Sequence, residues 1–352
     1  MNPPLATKPI RIGINGFGRI GRALARRIWE DKDLELIVIN DIESDLSNLA
    51  YLLKFDSIYG RFHADVAAGQ EHIEISGKSI RCFSEDSIEK VPWQEFELDV
   101  VIEATGVRQN VARAKSLEKG QRIKKVVVTN EDSAVDFTLI YGVNHMAYRR
   151  EEHFVISSSI CDANAIAPVL HYLDKSLGID SVFITTLHPW LSYQNLLDGP
   201  VSSVSSPGHN WSEYALGRSS VGNLILKDTT AGEATLKVLP QLVGKLDAIS
   251  FRVPTNNVSA SDFAINLSTK TTISQIYEIF REASFEFPAV IKLNEESLVS
   301  GDFTGLSQSC VIDFTKMKLV GGKFLKLVSW YDNEWAYSCR VLDVVKLTCM
   351  EL

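Results

Sequence analysis

The chain has 352 residues, 45% hydrophobic and 23% charged, with a formal net charge of −8. That length suits two domains of ordinary globular composition, and the acidic balance argues against nucleic acid as the main partner. The five cysteines, Cys82, Cys161, Cys310, Cys339 and Cys349, are scattered without a CxxC pair, so neither a disulfide framework nor a zinc site is expected and a reducing cytoplasm is the expected compartment. No apolar run reaches the roughly 18 residues of a membrane span, and the opening residues lack a signal-peptide core, so no membrane partner is expected.

Arg11–Asn15 reads as a short strand running into Gly16-Phe17-Gly18-Arg19-Ile20-Gly21, and Ala23–Trp29 continues as a helix. A second apolar strand, Leu34–Ile39, ends in Asn40-Asp41 and sets a carboxylate 20 residues beyond the last motif glycine. This is a dinucleotide-binding fingerprint in its full context. The glycines admit the pyrophosphate, the helix N-terminus neutralises it and the acid binds a ribose diol. Asp41 favours NAD over NADP, because a carboxylate there repels a 2′-phosphate. The pattern continues with a helix over Leu46–Phe55 and strands over His72–Ile75 and Ile80–Phe83. Asp99–Glu103 is a buried strand followed by the turn at Thr105-Gly106, Arg113–Lys119 a helix, and Lys124–Thr129 and Phe137–Gly142 two more strands. Alternating strands and helices predict a doubly wound sheet ending near residue 158.

Residues 162–177 carry apolar side chains at helical spacing, which places Cys161 at the positive end of a helix dipole. His188 follows 27 residues later, closing the β-branched run from Val182. A helix N-terminus and a nearby imidazole both lower a thiol pKa, so the pair reads as nucleophile and base; a buried inert cysteine beside a satisfied histidine is the alternative. Ser181–Leu187, Ala248–Val253 and Ala260–Leu267 predict an open, largely antiparallel sheet packed on helices. Asp198–Asn210 reads as a long loop, and Glu334–Cys349 as a final helix with Tyr337, Val341, Val344 and Val345 on one face.

Asn15–Arg22, Leu53–Phe62, Glu103–Gly106, Gly142–His145, the Cys161/His188 spacing, Asp198–Pro200, Phe251–Thr255, Asn257–Ser259 and Ser329–Glu334 follow one another along nearly the whole chain. Together these segments resemble the glyceraldehyde-3-phosphate dehydrogenase family. The resemblance implies an α/β protein: an N-terminal Rossmann NAD-binding domain over 1–158, an α+β catalytic domain over 159–328 with a mixed, largely antiparallel sheet, and a C-terminal helix over 329–352 returning to the NAD domain. It also implies a homotetramer acting on a small-molecule aldehyde. Cys161 would attack the aldehyde, His188 would move the proton, and the Cys161 N–H would help hold the oxyanion. Asn333 would bind the nicotinamide carboxamide, although an Asx-type helix cap fits the same position. Fingerprint and resemblance together give the cofactor set Gly16, Phe17, Gly18, Arg19, Ile20, Gly21, Asp41, Thr105, Gly106, Thr129, Asn333 and Tyr337.

The departures concern the anion sites. Where the family reads Ser-Cys-Thr-Thr-Asn, this chain has Ile160-Cys161-Asp162-Ala163-Asn164. Leu191 and Tyr193 stand where the family's substrate-phosphate ligands would be, Leu216 replaces an arginine by register with Arg218 nearby, and Glu233 replaces a lysine. Arg252 and Thr229, with Thr230 beside it, are kept. The expected substrate set is therefore Ile160, Asp162, Leu191, Tyr193, Thr229, Thr230 and Arg252, with no metal ligand. A carboxylate at 162 either repels inorganic phosphate or serves as a helix-start acid. Three readings stay open: NAD-dependent aldehyde oxidation through a cysteine thioester with an altered substrate or acyl acceptor, the ordinary phosphorylating enzyme, and a non-catalytic NAD-binding scaffold.

Overall fold

A computed structural model describes residues 8–120, 122–200 and 214–349. The chain forms two compact units. One contains the chain up to Leu139, then His145–Ser159 and the chain from Ser338; the other contains Ile140–Asn144 and Ile160–Tyr337.

The first unit holds strands β1 (Ile10–Asn15), β2 (Leu34–Asn40), β3 (Phe55–Asp56), β4 (Gly60–Arg61), β5 (Val66–Ala68), β6 (His72–Ile75), β7 (Lys78–Phe83), β8 (Val100–Glu103), β9 (Lys125–Val128), β10 (Phe137–Thr138) and β11 (Val155–Ser157). Its helices are α1 (Arg19–Glu30), α2 (Leu46–Lys54) and α3 (Arg108–Ala114). Nine strands form one sheet in the order β10-β11-β9-β8-β1-β2-β7-β6-β5. It is parallel from β10 to β7 and antiparallel at the β7-β6-β5 edge. Every residue of β8, β9 and β11 is buried, as parallel strands covered on both faces must be. The order reverses between β1 and β8, and the carboxyl ends there form the crevice where such sheets take ligands.

Two expected boundaries are corrected. The helix expected over Arg113–Lys119 begins at Arg108 and tightens into a 3₁₀ turn over Lys115–Gly120. Val107 N–H donates to Thr105 Oγ1 at 3.0 Å, so the chain is already turning before Arg108. The strand expected over Phe137–Gly142 pairs only at Phe137 and Thr138. Beyond it Asn144 Oδ1 accepts from Ile140 N–H at 2.8 Å and closes a turn.

The second unit holds β12 (Ile179–Pro189), β13 (Ile225–Lys227), β14 (Leu246–Val253), β15 (Ser259–Leu267), β16 (Ile291–Asn294), β17 (Cys310–Val320) and β18 (Phe324–Tyr331), with α4 (Cys161–Leu177), α5 (Ala231–Val238) and α6 (Ile273–Glu286). The sheet order is β13-β14-β12-β15-β18-β17-β16. Only β12/β14 and β16/β17 pair in parallel, which gives the expected mixed, largely antiparallel sheet. The last helix, α7 (Trp335–Cys349), belongs to the first unit from Ser338 onward, where Lys346 Nζ reaches Asp31 at 2.6 Å. Of the loop expected over Asp198–Asn210, the part from residue 201 lies outside the described residues.

Side chains of period two organise the core face of the second sheet into rows that cross its strands. Ile184, Phe263 and Leu327 form an apolar row in register, packed with Ile166 and Leu170 of α4 in one cluster. The next row is hydroxylic: Ser250, Thr186, Ser261 and Ser329 on β14, β12, β15 and β18, all buried. One step further, Arg252 pairs in register with His188 and Ser259 with Tyr331. The polarity of this face thus rises along the strands toward the start of α4. Phe263 is fully buried, so Phe263→Ala should destabilise the protein by about 3–5 kcal/mol in urea unfolding, and a loss below about 1 kcal/mol would show the apolar row does not carry the unit.

Candidate active site

Cys161 is the first residue of α4, and the residue before it, Ile160, offers no side-chain cap. The first backbone N–H groups of the helix therefore receive no capping oxygen from the N-cap residue. Val258 enters β15 at φ +65°, a left-handed conformation that is strained for a β-branched residue, and it immediately precedes Ser259.

Cys161 Sγ lies 3.7 Å from His188 Nε2 and 3.4 Å from Asp162 Oδ1. Tyr331 Oη donates to the same carboxylate oxygen at 2.6 Å, and that oxygen is 3.8 Å from His188 Nε2. His188 Nδ1 sits 2.8 Å from the Pro189 carbonyl. A carbonyl only accepts, so Nδ1 carries the proton and the lone pair of Nε2 faces the sulfur. His188 and Asp162 are buried while Cys161 keeps partial exposure.

The electrostatics correct one expectation. Burial first, and the Asp162 carboxylate second, push the Cys161 thiol up, outweighing the opposing pull of Arg252. Burial, followed by the positive charge of Arg252, lowers His188 to about 4, against the contribution of Asp162. The resting pair is a neutral thiol beside a neutral imidazole, not the preformed thiolate that a helix dipole alone would favour. The proton must leave sulfur as sulfur attacks.

The cofactor candidates of the first unit gather at the carboxyl ends of β1, β2, β8 and β9. Gly16 has φ +94°, and a Cβ there would meet Thr105 N at 2.6 Å; a Cβ on Gly21 would meet Gly16 O at 2.1 Å, whereas Gly18 faces open space. Two glycines therefore serve a tight turn and one leaves room for a ligand. Phe17 is buried, Arg19 is paired with Asp56, and Ile20 is half-buried in the first turn of α1. Asp41 accepts from the backbone N–H groups of Phe17 and Glu43. Thr129 donates from both its N–H and its hydroxyl to Glu103 O. Thr105 N–H donates to the Glu103 carboxylate at 2.8 Å, and Gly106 follows at φ +73°.

Residues 10–111 match the glyceraldehyde 3-phosphate dehydrogenase NAD binding domain, and residues 160–333 match the C-terminal domain of the same enzyme. This chain belongs to the glyceraldehyde 3-phosphate dehydrogenase family. It is 37% identical over 337 residues to glyceraldehyde-3-phosphate dehydrogenase 2 of Streptomyces avermitilis, covering 95% of this chain and 97% of that one. It is 34% identical to glyceraldehyde-3-phosphate dehydrogenase 2 of Bacillus subtilis, with 96% of each chain covered. With the cytosolic enzyme of Chlamydomonas reinhardtii the identity is 36%, over 95% of each. As in the family, the cofactor is NAD, and the glycine cradle fits it: the space at Gly18 is what a Cβ would fill.

The predicted residues divide between the units. Asn333 and Tyr337 lie on the second unit and are buried. The helix cap at the start of α7 is Asp332, whose Oδ1 accepts from Glu334 and Trp335 N–H. Asn333 is thus not the cap, and its Oδ1 is buried without a hydrogen-bond partner among the described residues. Arg252 is close enough for its charge to act on both Cys161 and His188. Leu191 and Tyr193 are half-buried in the turn after β12, closed by Leu191 N–H to Gln194 Oε1 at 2.9 Å. Thr229 caps the approach to α5 by accepting from Ala231 N–H, and Thr230 is exposed. Leu216 is buried, Arg218 is paired with Asp198 at 2.7 Å, and Glu233 is exposed on α5.

Two further residues, Tyr331 and Glu103, have roles that depend on partners brought together by the fold. Tyr331 orients Asp162, and its place two residues after Ser329 puts both on the core face by strand period. Glu103 is buried and accepts from Asn15, Thr105 N–H and the Thr105 hydroxyl, and Asn15 in turn accepts from Asn40 at 2.7 Å. Burial raises Glu103 to about 7, against the lowering effect of these hydrogen bonds. Below its ordinary value of 4.5 both folded and unfolded states hold the proton and stability is at its fullest; it falls as pH rises toward 7, because the unfolded chain ionises first. Glu103→Gln should remove a fall on the order of 3 kcal/mol between pH 4.5 and 7 in urea titrations. Parallel curves for the two proteins would sink this account.

Proposed function

We propose that this chain oxidises an aldehyde through a Cys161 thioester, with a substrate or acyl acceptor different from that of the ordinary phosphorylating enzyme. The observation that carries the first half is the 3.7 Å approach of Cys161 Sγ to the unprotonated Nε2 of His188. NAD, when bound, supplies the hydride acceptor; all other steps fall to the chain. Cys161 Sγ attacks the carbonyl carbon while His188 Nε2 takes the thiol proton and delivers it to the carbonyl oxygen, giving a hemithioacetal. His188 then removes the hydroxyl proton as hydride leaves carbon, and the N–H groups at the start of α4 hold the developing oxyanion. His188 gives that hydroxyl proton to solvent; an acceptor then adds to the thioester carbonyl, the C–S bond breaks, and the acceptor's own proton returns to the Cys161 sulfur.

Asp162 supports the second half. Its carboxylate lies 3.4 Å from the sulfur, in the position of a family threonine. A carboxylate and an anionic acceptor about 4 Å apart repel by about 4 kcal/mol per charge pair at an effective dielectric of 20. Water or another neutral acceptor meets no such barrier. Leu191 and Tyr193 in place of polar ligands fit a larger, less phosphorylated or partly apolar aldehyde, with Ile160, Thr229, Thr230 and Arg252 completing the pocket.

In this reading residues 1–158 bind NAD through Gly16, Phe17, Gly18, Arg19, Ile20, Gly21, Asp41, Thr105, Gly106 and Thr129. Residues 159–328 carry the chemistry, and 329–352 contribute Asn333, whose unpartnered oxygen suits a carboxamide donor, and Tyr337. A cytoplasmic homotetramer completes the proposal.

NAD reduction measured with glyceraldehyde 3-phosphate and with a panel of unphosphorylated aldehydes, each with and without inorganic phosphate, tests it. Turnover should be largely phosphate-independent, vanish in Cys161→Ser and fall about 10²–10⁴-fold in His188→Ala. Asp162→Thr combined with Ile160→Ser should raise the phosphate-dependent rate. Strong phosphate dependence in the unaltered protein would return it to the ordinary phosphorylating activity.

A further inference from the structure

We infer that Cys161, Asp162 and His188 form a binding site for a thiophilic divalent cation of the Zn²⁺ type, which masks the nucleophile reversibly. Their ligand atoms all lie within 4.8 Å of one another. The separations are 3.4 Å for Sγ to Oδ1, 3.7 Å for Sγ to Nε2 and 3.8 Å for Oδ1 to Nε2. Bonds of about 2.3 Å to sulfur, about 2.0 Å to imidazole nitrogen and about 2.1 Å to carboxylate oxygen, at tetrahedral angles, require ligand atoms roughly 3.4–3.6 Å apart. The three donors therefore need to move only by tenths of an ångström.

The surrounding contacts are those that orient ligands. Nδ1–H of His188 donates to Pro189 O, which leaves Nε2 as the free donor, and Tyr331 Oη holds the carboxylate. Such outer partners fix the tautomer and direction of metal-binding side chains. Binding releases the thiol proton to solvent; the cation accepts electron pairs from sulfur, nitrogen and oxygen, and nothing is oxidised. Thiolate and carboxylate then cancel the double positive charge, which matters in a buried site where Arg252 already adds one. A threonine at 162 would leave that charge half-balanced and one ligand short. The absence of a CxxC spacing hides such a site, because its donors come from a helix start and a strand end. Partial exposure of Cys161 leaves the fourth position to water.

The site itself stands independently of the proposed activity, and only its effect on turnover rests on that reading. The full-length, metal-free protein without NAD is titrated with Co²⁺, followed by Zn²⁺ competition against a chromophoric chelator. One equivalent of Co²⁺ should produce a near-ultraviolet thiolate charge-transfer band, displaced by Zn²⁺ and absent in Cys161→Ser. Asp162→Thr should weaken Zn²⁺ binding by about 10-fold or more, and Asp162→Asn, which keeps the shape and the Tyr331 contact, should do so if the threonine variant misfolds. No band with the unaltered protein, a band retained in Cys161→Ser, or undiminished affinity in both Asp162 variants overturns the inference. Zn²⁺ should also abolish aldehyde-dependent NAD reduction, with recovery on chelation. Intact Co²⁺ binding without any turnover would count against the proposed activity and leave the site standing.

Discussion

The hydrogen bond from Tyr331 Oη to Asp162 Oδ1 joins residues 169 apart in the chain, and the geometry of the site depends on it. Core packing sets where α4 lies, but it does not decide which way the polar side chains of its first turn point. A hydrogen bond to a carboxylate is worth about 1.5–3 kcal/mol, more than a neutral one, and inside a buried site the unmet alternative is costly. With its carboxylate fixed by β18, Asp162 sits against the sulfur on one side and the imidazole on the other. The carboxylate helps the thiol keep its proton at rest, while the lone pair on His188 Nε2 is set by the Nδ1 contact with Pro189 O and by burial and Arg252, against the pull of Asp162. Removing the tyrosine hydroxyl would release the acid, and with it the direction in which the cysteine proton moves.

The rows across the second sheet explain how so many ionisable groups are tolerated in one buried place. Apolar side chains anchor α4 at one end, a line of serine and threonine hydroxyls follows, and only then come Arg252, His188 and Tyr331. Thr186 Oγ1 donates to Ser250 Oγ at 2.8 Å, linking two strands beneath the site. A hydroxyl can rotate to donate or accept, but Ser261 Oγ and Ser329 Oγ of this row have no hydrogen-bond partner among the described residues. The strained backbone of Val258 at the edge of the last row stores about 1–3 kcal/mol. Its packing with Phe303 and Val311 supplies the compensating burial.

What was legible in the sequence follows the range of the interactions involved. The reasons for Gly16, Gly18 and Gly21 lie within a few residues, so the fingerprint and its following strand could be read directly. Cys161 at a helix start and His188 at a strand end were legible for the same reason. The direction of the cysteine shift was not, because it comes from burial and from the carboxylate that Tyr331 holds in place. Helix α6 also has a local signal in the sequence, the capping box of Thr272 and Gln275 at its start. The start of α3 at Arg108 was also local: Val111, Ala114 and Leu117 are buried at a spacing of three, but a hydroxyl-capped turn at Thr105 outweighed the weaker apolar pattern.

Adjacent residues at the start of α7 divide two tasks that one side chain cannot perform together. Asp332 caps the helix with one oxygen and with the other accepts from Asn257 Nδ2 at 2.8 Å and Gly305 N–H at 2.7 Å. The carboxylate thus accepts four hydrogen bonds, tying the start of α7 to Asn257 and Gly305. Asn333 is buried beside it with its Oδ1 unmatched among the described residues, at a cost of about 1–3 kcal/mol for a desolvated acceptor. A hydroxyl or apolar residue would avoid that cost if position 333 served the fold alone. An amide N–H placed beside that oxygen would recover the lost hydrogen bond.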